Sequence, residues 1–74
     1  MDWSGINKKW NVIYTDHKGC VWLSNKAPVV EESFAQHYWR HEGKGIFCTQ
    51  IPDDILINYT PNRENWKRSL KRRG

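Results

Sequence analysis

The sequence predicts an α+β fold: a small antiparallel sheet of about four strands with one helix packed on it, in the order ββαββ, followed by a basic C-terminal helix or tail. Three observations lead there. Trp10, Val12 and Tyr14 alternate with Asn11, Ile13 and Thr15, a period of two in β-forming residues. Val30, Phe34, Tyr38 and His41 recur at helical spacing between Pro28 and Gly43, a proline-to-glycine frame that suits a helix. Two further apolar runs, Ile46–Ile51 and Ile55–Thr60, flank the turn residues Pro52-Asp53-Asp54 and read as a second strand pair.

The elements follow in order. Residues 1–8 form a lead-in broken by Gly5. Lys9–Thr15 is the first strand. Asp16-His17-Lys18-Gly19 is a turn, closed by a glycine that tolerates positive φ. Cys20–Ser24 is the second strand, with Trp22 expected opposite Val12 or a neighbour. The helix spans Val29–Glu42, with Glu31 and Glu32 near the positive end of its dipole and Arg40 near the negative end. His37 lies beside its apolar stripe. The third and fourth strands are Ile46–Ile51 and Ile55–Thr60. Thr60 caps a last short helix that begins at Pro61, whose apolar face is Trp66 and Leu70. Because the strands are short and the hairpins tight, an SH3-like, partly closed barrel is the alternative architecture.

Seventy-four residues make one domain with a thin core, hiding roughly 60% of the unfolded surface. Five Trp, three Tyr and two Phe compensate, since each large ring buries on the order of 150–250 Å². Trp10, Trp22 and Phe34 are expected inside. The compact α+β unit is assigned residues 1–60, and the basic segment residues 61–74.

Charge is distributed unevenly. Residues 61–74 hold six cations (Arg63, Lys67, Arg68, Lys71, Arg72, Arg73) and one anion (Glu64), whereas the first sixty residues hold six cations and seven anions. A near-neutral body with a basic appendage points to a polyanion partner. On a helix, the groups Lys67-Arg68 and Lys71-Arg72-Arg73 share overlapping faces and match a phosphate backbone. Trp66 adds a ring that can stack on a base. The expected function is therefore that of a small non-enzymatic regulatory protein binding DNA or RNA, with Lys8, Lys9, Lys18 and Arg40 extending the footprint. A solvated, solubilising tail is the plainer reading of the same charges. The alternative function is a protein-binding modulator: an adaptor or inhibitor of a larger cellular machine, of the kind phages and mobile elements encode. Its surface would centre on Trp39 and Arg40, residue types favoured at interface hot spots.

Other chemistry is less well supported. His37 and His41 have zinc-ligand spacing, and Cys20 and Cys48 complete a possible set. No Cys-x-x-Cys knuckle accompanies them, so neither metal nor cofactor is assigned. A Cys–His nucleophile pair needs only proximity, but the chain has little volume for a water-excluding pocket, and no enzyme is expected. Met1-Asp2-Trp3-Ser4-Gly5 lacks the basic start and apolar run of a secretory signal, and no apolar run reaches the ~20 residues of a membrane span. A cytoplasmic protein with reduced cysteines follows, and the glycosylation pattern at Asn58-Tyr59-Thr60 is read as chance. Exposed sheet edges allow a homodimer.

Overall fold

The computed structural model describes residues 3–51 and 59–73. They form two antiparallel sheets. Six strands are present among them: β1 (Val12–Thr15), β2 (Val21–Ser24), β3 (Val29–Glu32), β4 (His37–Arg40), β5 (Cys48–Ile51) and β6 (Lys71–Arg72). A single 3-10 turn, Trp66–Arg68, precedes β6. The larger sheet has the order β5-β2-β1-β6, and β3 pairs with β4 in a separate hairpin.

The β1–β2 hairpin forms as the alternation predicts, and Asp16 organises its turn. Its Oδ1 accepts the Lys18 and Cys20 N–H groups at 2.9 and 2.8 Å. Gly19 takes φ 87°, a conformation that costs a glycine little. Trp22 stands opposite Tyr14, while Val12 faces Ser24.

All four β1 residues are buried, so the strand shows no exposed face. Register explains why. Ile13, Thr15, Val21 and Leu23 lie on one face, where Ile13, Val21 and Leu23 join Tyr59, flanked by Trp3, Ile6, Trp10 and Ile51. Val12, Tyr14, Trp22 and Ser24 lie on the other. There the β3–β4 hairpin covers part of the surface, with Trp39 against Tyr14 and His41 against Ser24. A strand covered on both faces reads as a continuous apolar run.

The expected helix over Val29–Glu42 is absent, and with it the α+β class and the ββαββ order. The segment is the β3–β4 hairpin, with Val30 opposite Trp39 and Glu31 opposite Tyr38. Val29-Val30 and Tyr38-Trp39 favour a pleated surface over a helix. Ser33 Oγ donates to the Gln36 carbonyl at 2.7 Å, closing the turn. Phe34, expected inside, sits on that turn and is fully exposed. Trp10 and Trp22 are half-buried.

The C-terminal helix is also absent. Asn65 and Trp66 carbonyls accept from Arg68 and Ser69 N–H groups at 3.0 Å, one 3-10 turn, after which Lys71 and Arg72 pair with Ile13 and Val12. Ser69 explains the change of course. Its buried Oγ accepts the Thr15 N–H at 2.8 Å and donates to the Trp66 carbonyl at 2.6 Å, which fastens the segment to β1. As for the barrel alternative, among the described residues the larger sheet does not pair its two edge strands, β5 and β6, with one another. The third expected strand is observed as the shorter β5. The fourth falls largely outside the described residues. No helix among the described residues is long and apolar enough to cross a membrane.

Candidate functional site

Two surfaces are candidates: a basic edge and an aromatic cleft. The edge is built by β6. Lys71 and Arg72 are exposed on the outermost strand, and Arg68 is exposed just before it. None of the three forms an ion pair among the described residues. Arg73 is spent differently. Its Nη2 donates to the Ile6 and Asn7 carbonyls at 3.0 Å each, and its guanidinium stacks 4.7 Å over the Trp3 ring. Its Nε is buried with no partner among the described residues. Arg73 thus staples the N-terminal loop beside β6, and that loop carries the exposed Lys8 and Lys9.

The other tail residues face the opposite end of β1. Arg63 Nε donates to the Gly19 carbonyl at 3.1 Å. Lys67 Nζ donates to Glu32 Oε1 at 3.0 Å and contacts His37 Nδ1 at 2.6 Å. Trp66 meets Trp39 edge-on at 5.9 Å and His17 at 6.1 Å. The residues 63–67 therefore bridge the β1–β2 turn and the β3–β4 hairpin.

Trp39 and Arg40 are occupied within the fold. The Trp39 indole donates to the Thr15 carbonyl at 2.8 Å. Arg40 pairs with Glu31 at 3.1 Å and Glu42 at 3.0 Å.

An open cleft of about 550 Å³ lies between the β1–β2 turn and the β3–β4 hairpin. Tyr14, Trp22, Tyr38 and Trp39 supply its rings, and Asp16, His17, Lys18, Gln36 and Cys48 its polar groups. Asp16 is committed, because its Oδ2 accepts the Trp22 indole N–H at 2.8 Å in addition to its two backbone bonds. That bond fixes the Trp22 ring in the wall. Burial pushes the Tyr14 phenol far above the ordinary tyrosine range, and the adjacent Cys48 adds to the shift. Tyr14 is therefore a neutral donor in the cleft, with its hydroxyl 3.9 Å from Cys48 Sγ.

The four cysteine and histidine candidates do not converge. His41 and Cys48 are close, with Sγ 3.8 Å from Nε2 and 3.9 Å from Nδ1. His41 Nε2 also lies 3.0 Å from the Lys26 carbonyl. The Ser24 hydroxyl lies at the same distance, 3.0 Å, from Nε2, so the His41 ring edge is held by both Lys26 and Ser24. His37 instead meets Lys67, and the Cys20 N–H serves the Asp16 turn. No three His, Cys, Asp or Glu residues among the described ones are placed to hold a metal ion.

The cleft was not read from the sequence. Its residues come from three separated stretches, 14–22, 36–39 and position 48, and share no local spacing. The one available signal was the density of aromatics around the Asp16 turn. Comparison with family models, with curated proteins and with solved structures finds no match for this chain.

Proposed function

We propose that this chain is a small, non-enzymatic regulatory protein that binds nucleic acid through its basic C-terminal segment. One observation carries the reading: the exposed Lys71 and Arg72 form an edge strand, and Arg73 fastens the Lys8- and Lys9-bearing loop beside it. With the exposed Arg68 just before the strand, five cations belong to this edge and the loop fastened to it. Such a group gains affinity by releasing counterions from phosphates. Charged edges also discourage unwanted sheet pairing, so charge alone is a weaker argument than the Arg73 staple. A structural role for Arg73 spends one cation to align four others. A cytoplasmic setting belongs to the same reading and is supported by the two unpaired thiols, Cys20 and Cys48. A second reading, a protein-binding modulator, is favoured by the outward Phe34 and Phe47.

The test is fluorescence anisotropy with DNA and RNA oligonucleotides between about 50 and 200 mM salt. Affinity should fall steeply as salt rises. Lys71→Ala and Arg72→Ala should each reduce the slope of log affinity against log salt by about 1. Binding that ignores salt, or a slope unchanged in both variants, would remove the basic edge from the function.

A further inference from the structure

We propose that the cleft between the β1–β2 turn and the β3–β4 hairpin receives one unpaired nucleobase of a single strand. The inference rests on the nucleic-acid reading above and assigns the ligand of a second surface. Four aromatic side chains line a space of about 550 Å³, a size usual for small-ligand sites. Planar π-faces are what splayed bases stack on, whatever their identity.

The polar groups narrow the choice. The exposed Gln36 amide makes no side-chain hydrogen bond among the described residues, so it offers a donor and an acceptor to a base edge. Lys18 is exposed at the same wall and has no ion pair among the described residues. Asp16 is the lining's carboxylate, and it already accepts three N–H groups. Its charge is offset by those donors. An aromatic cage for an alkylammonium would instead leave the anion turned toward the ligand. Here a cation stands at the lip, which suits the phosphate attached to a base. The Arg63 side chain packs against Gly19, and Trp66 packs against His17, so the basic C-terminal segment adjoins that lip. A duplex keeps its bases stacked and cannot present one to these rings.

Cys48 provides the readout, because it is exposed and lines the cleft. In full-length Cys20→Ser protein it is the remaining thiol. Its alkylation by iodoacetamide is timed alone and with saturating single-stranded RNA, single-stranded DNA or duplex of the same sequence, each about 12 nucleotides long. Either single strand should slow alkylation several-fold, and the duplex should leave it unchanged. The sugar of the more protective strand identifies the preferred polymer. Gln36→Ala should weaken single-strand binding by about tenfold, as loss of a hydrogen-bonded base contact does, and leave duplex binding and its salt slope intact. Salt-dependent binding of both forms with Cys48 unprotected would overturn the cleft proposal and leave the basic edge standing. Equal protection by duplex would overturn the requirement for an unpaired base. Binding of neither form would remove both proposals.

Discussion

The two hairpins in this chain are both short and antiparallel, yet they are held in different ways. β1–β2 lies inside the four-stranded sheet, with neighbours at both edges and every β1 side chain buried. β3–β4 has no third strand among the described residues. Val29 and Glu32 at the ends of β3, and His37 at the start of β4, are exposed. What ties this hairpin down is a small set of side chains. Trp39 reaches the Thr15 carbonyl, His41 approaches Ser24, and Lys67 bridges Glu32 and His37. One hairpin is therefore stabilised by diffuse burial and the other by a few specific contacts. Elements of the second kind open at lower free energy than the core. The cleft lies where the two meet, with a firm floor and a wall held by few attachments.

The most severe test of this contrast is Ile13→Ala. Ile13 has no exposed surface and belongs to the central cluster. Its truncation should cost about 3–4 kcal/mol, against a total of roughly 4–11 kcal/mol for a chain of this length. Denaturant unfolding should show one transition at a much lower midpoint, with both hairpins lost together.

Trp39→Ala should act on the hairpin first. Trp39 is half-buried, so the loss should be about 2 kcal/mol, below the range for a fully buried ring. Amide exchange should accelerate across β3 and β4 while β1 and β2 keep most of their protection. Equal acceleration in all four strands would mean that the hairpins form one cooperative unit, and the contrast would fail.

The same contrast explains what could be read in advance. β1–β2 carries its instructions locally, in alternating residues, an Asp at the start of the turn and a Gly at its end. The β3–β4 segment carries conflicting ones. Its apolar residues at positions 30, 34 and 38 satisfy a helical stripe, and Pro28 and Gly43 look like helix punctuation. In the fold, Phe34 belongs to a turn and not to that stripe, and Pro28 is buried in the run between β2 and β3. The deciding partner is Trp39 on Tyr14, 25 positions away, and no local pattern encodes it. The basic segment was legible as charge. Which cations are free was not, because Arg73 and Lys67 are claimed by acceptors near residues 6 and 32. The aromatic cleft was illegible for the same reason, being assembled from distant turns.

The smallest expected effect concerns pH and the Lys67 tether. The Lys67 ammonium, hydrogen-bonded to Glu32 and then acting through its charge, holds the Glu32 carboxyl below the usual glutamate range. A carboxyl lowered in the folded state contributes stability that is present above its unfolded pKa. That contribution is lost as pH falls through the folded value. Thermal unfolding of wild type and Glu32→Gln should therefore differ slightly near neutral pH, with wild type the more stable. The gap should close as the solution is taken below the ordinary glutamate range. Glu32 is exposed, so added salt should shrink the gap at neutral pH as well. A difference that persists unchanged into acid would mean that Glu32 supports the hairpin through packing or strand pairing instead of its charge. The C-terminal segment would then hold the hairpin through β4, by Trp66 on Trp39 and Lys67 on His37.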